Sequence, residues 1–268
     1  MHTKSVQIRK YKGDTFQDTT DLLAVEEPLE IRVEYGPLKQ RKSKNISITM
    51  RTPGADEDLA VGFLFTEGIV KQAADVFSVK SWDENLVMVS LQPDFLFDLQ
   101  KLERHFYTSS SCGVCGKGSL DAVKTAVSAE CLLPETPWLV RPEVIYSLPE
   151  KLRQAQETFD ATGGLHACAL FDAEGNLLSS REDVGRHNAL DKLIGHYFRH
   201  AQIPLNQHML MLSGRASFEL LQKAAMAGIR CVCAVGAPSS LAVETANEFG
   251  IVLVGFLREG RFNVYKRL

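Results

Sequence analysis

Residues 29–51 alternate between apolar and polar positions as strands do. "LEIRVEY" and "NISITMR" flank the polar stretch "GPLKQRKSK", which predicts two strands paired as a hairpin. The period then changes. "TPGADEDLAVGFLFTEG" opens with Asp56, Glu57 and Asp58, which suit the positive end of a helix, and closes on Gly68, which suits its exit. "VFSVKSW" and "LVMVSL" read as two further strands. These elements predict a small α+β roll over roughly the first hundred residues, and we place this N-terminal α+β domain at residues 1–106.

The second half carries a different pattern. Strand-like "LHACALF" and "NLLSS" are joined by the turn "DAEG". "GRHNALDKLIGHYFRH" follows, with Leu190, Leu193, Ile194, Tyr197 and Phe198 on one helical face. "HMLMLSG", "CVCAVGA" and "IVLVGFL" read as strands, alternating with the helices "SFELLQKAAMAG" and "SLAVETANEFG". The alternation predicts an α/β domain of three layers around a largely parallel, buried sheet. Its span, with the segment leading into it, is 107–268. "LLPETPWLVRPE", with three prolines, reads as an extended connection.

Composition narrows the function classes. The chain has 268 residues and a net charge of −3, so it has no broad basic field for nucleic acid, although a local basic pocket is compatible with it. "MHTKSVQIRKYKGD" lacks the apolar core of a signal peptide. No run approaches the ~18 apolar residues that span a bilayer. The expectation is a soluble, cytoplasmic protein without membrane insertion.

The six cysteines are not a disulfide framework in such a chain. Cys131, Cys168, Cys231 and Cys233 lie in apolar surroundings and read as small buried hydrophobes. Cys112 and Cys115 differ. They sit in "SSSCGVCGKGS", among serine, glycine and lysine. "LDAVKTAV" after them looks helical, with Ser119 as candidate N-cap. Its dipole and Lys117 would favour a thiolate. The pair alone leaves four readings open: half of a structural zinc site, a thioredoxin-like dithiol, a purely structural pair, and a sulfur carrier that holds a persulfide on a mobile loop. No second Cys-x-x-Cys or His pair completes a zinc site, and no metal site is expected.

Six segments in order, "MRTPGADEDLAVGFLFTEGIV", "SSSCGVCG", "TGGLHACAL", "EDVGRHNALDKLIG", "SGRASFELLQKAAMAGI" and "GAPSSLAVETANEFGIVLVGFLREGRFNVY", resemble the formate dehydrogenase accessory sulfurtransferases, the FdhD/NarQ family. The resemblance runs from about residue 20 to the C-terminus. It implies sulfur taken from a cysteine desulfurase as a cysteine persulfide. That sulfur is passed to the molybdenum cofactor, bis-molybdopterin guanine dinucleotide, which is bound as substrate before insertion into formate dehydrogenase. Guanine nucleotide is expected to substitute for it in binding. The persulfide cysteine would be Cys112, with Cys115 in support. A homodimer is implied too, as is a cytidine-deaminase-like C-terminal domain. That domain would lack zinc, because "LHACA" has no glutamate two residues after His166 and no Pro-Cys-x-x-Cys follows.

A ligand with two pyrophosphates needs cations and backbone N–H groups. "LSGRAS" offers Gly214 for close approach and Arg215 before a helix start. "GFLREGR" follows the last buried strand, at a carboxyl end of the sheet. The resemblance assigns Phe256, Leu257, Arg258, Glu259, Gly260 and Arg261 to the cofactor, with Arg258 and Arg261 on phosphates and Phe256 beside the base. "EDVGRHN" adds Arg186 and His187 to the candidate pocket, and Pro238–Ser240 form a further strand-to-helix turn. Each segment also has a bland reading, as a turn, a hairpin or a capped helix with ion pairs. His166 reads as a satisfied core residue. Two other classes of function stay open: a non-catalytic chaperone that binds the molybdenum cofactor, which needs the arginines but not the thiols, and a thiol–disulfide enzyme, which needs the thiols but no cofactor.

Overall fold

The computed structural model describes residues 2–96 and 141–265. β1 (Thr3–Lys12) and β2 (Thr15–Ala24) pair antiparallel as a separate hairpin. Nothing in the apolar pattern predicts it, because most of its side chains face water.

β3 (Glu27–Tyr35), β4 (Lys42–Arg51), β5 (Val76–Asp83) and β6 (Leu86–Leu91) build a four-stranded sheet in the order β4-β3-β6-β5. The expected β3–β4 hairpin is present, with Glu27 opposite Arg51. Alternation buries Leu29, Ile31, Val33, Val87, Val89 and Leu91. Helix α1 (Asp56–Thr66) joins that core through Leu59, Val61, Leu64 and Phe65. Its acidic start does more than complement a dipole. Arg51 is fully buried at the end of β4, and its guanidinium donates to both carboxylate oxygens of Asp56, at 3.0 and 2.8 Å. It also donates to the carbonyls of Glu27 and Glu84, which ties the helix entry to two strands.

The second half comprises α2 (Pro142–Gln154), α3 (Glu157–Thr162), β7 (His166–Phe171), β8 (Leu177–Asp183), α4 (Arg186–Arg199), β9 (Met209–Leu212), α5 (Phe218–Met226), β10 (Cys231–Ala234), α6 (Ser240–Glu248), β11 (Val252–Arg258) and β12 (Arg261–Val264). Six strands form one sheet in the order β12-β11-β10-β9-β7-β8. The expectation of a largely parallel sheet needs correction. Only β9–β10 and β10–β11 are parallel, while β7–β8, β7–β9 and β11–β12 are antiparallel. The cause is connection length. Tight turns at Asp172–Asn176 and Glu259–Gly260 reverse the chain, whereas a parallel neighbour needs a crossover such as α5 or α6.

Helices cover both faces of this sheet. Val144, Ile145, Leu148 and Leu152 of α2 pack with Ala167, Met211, Cys233 and Val254 on one side. On the other, α4, α5 and α6 share a core with Cys168, Leu210, Val232 and Leu253, and that core runs on into α1 and the four-stranded sheet. Cys168, Cys231 and Cys233 are buried as expected; Cys131 lies outside the described residues. Where α1 crosses α4, Gly62 and Gly195 let the backbones touch. Among the described residues, no helix is long and apolar enough to cross a membrane.

Candidate functional site

The ends of three parallel strands set the site. β9 stops at Leu212, β10 at Ala234 and β11 at Arg258, all at one edge, and the antiparallel β7 begins there at His166. Beyond the strands, backbone bonds strap the turns together. Gly236 N donates to Gly214 O, Phe256 N to Gly236 O, and Ala216 N to Ala237 O. Gly236 stays small because a Cβ there would meet the Arg215 backbone at 3.0 Å.

A cavity of about 1010 Å³ opens at this edge. Its helical wall is Tyr146, Pro149, Glu150, Leu152 and Arg153 of α2 with Phe159 of α3. Its sheet wall is His166, Ser213, Gly214, Val235, Leu257, Arg258 and Glu259. A cleft at the carboxyl ends of parallel strands is the usual place of a ligand site in an open α/β sheet.

Of the residues expected here, Gly214, Leu257, Arg258 and Glu259 line the cavity. Leu257 is also part of the core. Arg258 is braced, its Nη1 donating to the carbonyls of Val235 and Leu257 at 2.7 and 2.9 Å. Phe256, Gly260 and Arg261 sit on the β11–β12 hairpin outside the lining. Phe256 is exposed in the left-handed region, φ 52°, where the strand bulges between Gly255 and Arg258. Arg261 pairs across the hairpin with Arg258. Cys112 and Cys115 lie outside the described residues.

The "EDVGRHN" segment divides by role. Glu182 accepts the backbone N–H groups of Thr158 and Phe159, at the start of α3. Asp183 is fully buried. It pairs with Lys192 at 2.7 Å and accepts from the N–H groups of Thr52 and Gly185 and from Asn188 Nδ2. Asn188 also bonds Met50 O and Thr49 Oγ1. These three residues fasten β8 and α4 to α3 and to the end of β4. Arg186 and His187 remain at the start of α4, where His187 Nε2 lies 2.6 Å from Glu219 Oε2, and these two and the exposed Arg215 lie outside the cavity lining.

His166 belongs to this site, which sequence reasoning missed. Its ring packs on Gly214, with Nδ1 3.5 Å from where a Cβ would stand. Burial, and then the charges of Arg186, His187 and Arg215, hold its imidazole below the usual histidine range; Asp183 partly offsets them. A lone histidine gives no periodic signal. The aromatic wall was missed too, although Val144, Ile145, Leu148 and Leu152 after Pro142 have the spacing of a capped amphipathic helix.

A three-layer α/β domain with a pocket at its carboxyl edge, joined to a small mixed sheet, is the class of protein that this geometry defines. A family model described as the FdhD/NarQ family matches residues 24–268. The sulfur carrier protein FdhD of Streptomyces avermitilis is 49% identical over 272 residues, covering 98% of this chain and 92% of the relative. The sulfur carrier protein FdhD of Sulfurisphaera tokodaii is 41% identical over 265 residues, covering 99% and 97%. A crystal structure from Desulfotalea psychrophila, of a proposed formate dehydrogenase accessory protein, matches with a TM-score of 0.75 at 21% identity and covers 100% of this chain and 98% of that one, a likeness of fold. The chain belongs to the FdhD/NarQ family.

Proposed function

We propose that this protein is a sulfur carrier serving formate dehydrogenase, with Cys112 as the sulfur-bearing residue. The observation that carries the reading is the family match over residues 24–268. The thiols that the structure describes favour the same assignment. Burial pushes the Cys168 thiol far up, and the contact with Cys231 together with burial pushes Cys233 up. Neither supplies a thiolate at neutral pH, and the thiolate is the reactive form. The Cys-Gly-Val-Cys pair, by contrast, lies in polar surroundings.

The transfer balances with the two cysteines and an external dithiol. The Cys112 thiolate attacks the outer sulfur of a persulfide on a cysteine desulfurase. The donor S–S bond breaks, the donor cysteine leaves as thiolate, and Cys112 holds the extra sulfur. The Cys115 thiolate then attacks Sγ of Cys112. The persulfide bond breaks, hydrosulfide leaves for molybdenum, and the cysteines close a disulfide. The outer sulfur thereby gains two electrons from the thiols, and an external dithiol resets the pair. The cofactor is substrate, and the edge pocket is read as the seat of its guanine dinucleotide part. The pocket's size, the Tyr146 and Phe159 rings and the lining Arg153 and Arg258 support that reading. A homodimer and a deaminase-like scaffold without zinc complete the proposal.

The test is complementation. In cells lacking their own family member, this chain should restore formate dehydrogenase activity. Cys112→Ala should fall to the empty-vector level, whereas Cys168→Ala should keep working. Full restoration by Cys112→Ala would contradict the carrier and favour a cofactor-binding chaperone.

A further inference from the structure

β1 and β2 form an arm that the rest of the chain leaves bare. Each strand has 10 residues, and a strand of that length spans about 34 Å. The root is anchored. Val25 N donates to His2 O at 2.9 Å, Ala24 lies beside Gly164, and the His2 ring packs on Gly54. β2 rests on α3. Beyond the root, every residue from Arg9 to Asp18 is exposed. Among the described residues, neither strand pairs with another sheet. A ribbon of two strands is marginal by itself in water. Its tip is nevertheless organised. Tyr11 and Phe16 stand opposite each other, 65% and 56% exposed, and Arg9 lies 4.2 Å over the Phe16 ring while pairing with Asp18.

The four-stranded sheet has a bare surface too. Leu29, Ile31, Val87 and Val89 point into the core, so Pro28, Glu30 and Arg32 stand on the other face with their cross-strand neighbours Met50, Ile48, Leu86 and Met88. Ile48 is 64% exposed, and Trp82, at the adjoining bulge of β5, is 70% exposed. Glu30 and Arg32 satisfy each other at 2.6 Å, so cover over this face strands neither charge. A cluster of exposed apolar side chains marks an interaction surface. It lies at the end of the sheet from which the arm springs, since β2 stops at Ala24 and β3 starts at Glu27, opposite Arg51. The charges are complementary. Lys10 and Lys12 flank Tyr11 on the arm, whereas Asp83 and Glu84 follow Trp82 at the rim of the patch. All four are exposed, and none has an ion-pair partner among the described residues.

We propose that two copies of this chain exchange arms. The Tyr11–Phe16 tip of each copy lies on the Ile48, Met50 and Trp82 patch of the other, with Lys10 and Lys12 against Asp83 and Glu84. The proposal rests on the homodimer reading and gives it an interface. A second copy is the fitting occupant because one chain holds both halves of the contact, a basic aromatic tip and an apolar face with an acidic rim. Both halves are bare in the single chain, so they do not meet within it. Arm root and patch share one end of the sheet, so a single two-fold axis there serves both contacts and closes the assembly. Tip and patch together offer about 20 residues on each copy, the low end of a stable interface.

Sedimentation equilibrium of the full chain tests this. The unaltered protein should be a dimer. The double variant Lys10→Glu/Lys12→Glu sets like charges in both contacts, and Asp83→Lys/Glu84→Lys does so from the other side. Each should raise the dissociation constant by about a hundredfold or more. The four positions are exposed, so folding is not at stake. A mixture of the two variants decides the matter. In a mixed pair each arm meets a rim of opposite charge, so the mixture should dimerise nearly as tightly as the unaltered chain, although neither variant does so alone. A dimer that both variants leave unchanged, or weakened variants that do not recover on mixing, would overturn the arm exchange and leave the homodimer reading standing. An unaltered chain that stays monomeric at every concentration would overturn both.

Discussion

Lys192→Met is expected to cost about 3 kcal/mol, the lower end of what removing one partner of a buried ion pair costs. Lys192 and Asp183 are both buried, 2.7 Å apart, and Lys192 Nζ also donates to Thr52 O at 2.7 Å. Without the lysine, the Asp183 carboxylate stays buried without its cation. Three N–H donors remain on it, which places the loss at the low end. For a chain of this size the thermal midpoint should fall by about 6–12 °C. Adding Asp183→Asn should recover part of the loss, because no charge is then left buried. A midpoint unchanged in Lys192→Met would show that the pair does not hold β8 and α4 to the end of β4.

Gly195→Ala should be the second large effect. An alanine Cβ would stand 1.9 Å from Asp58 O and 2.7 Å from Gly62 N, both backbone atoms of α1. No rotamer relieves such a contact, so the helices must separate. Alanine gains about 1 kcal/mol of helix propensity over glycine. Overpacking of about 3 kcal/mol exceeds that gain, leaving a net loss near 2 kcal/mol. The expected drop is about 4–8 °C. A midpoint at or above that of the unaltered protein would mean that the crossing is looser than the structure has it.

These two effects show where the chain is hard to read. The strands of the four-stranded sheet and helices α4, α5 and α6 follow from their apolar patterns, whereas α1, buried almost all round, was legible from its acidic start and its glycine exit. The long exposed hairpin β1–β2 buries too little to leave a pattern. Helix α2 has the pattern, but Pro142, which opens it, ends the three-proline stretch read as connection, and the residues after it were left unassigned. Strand direction was misjudged because apolar runs report burial and not orientation. At the site, Gly214, Arg258 and Glu259 were legible, since turns after buried strands belong at a sheet edge. The fate of Glu182, Asp183 and Asn188 was not, because their partners lie on α3 and on or beside β4, far away in sequence. His166 was read as a core residue for the same reason: the cavity wall it joins is assembled only by the fold.

The central claim is that Cys112 carries sulfur. Intact-protein mass spectrometry after incubation with an active cysteine desulfurase and cysteine tests it most directly, on the unaltered chain, Cys112→Ala and Cys115→Ala, each with and without reductant. The account predicts a gain of one sulfur atom on the unaltered chain, removed by reductant and lost in Cys112→Ala. Cys115→Ala should gain the sulfur as well, because Cys112 is intact. A sulfur gain that survives in Cys112→Ala, or none on the unaltered chain, would contradict the account.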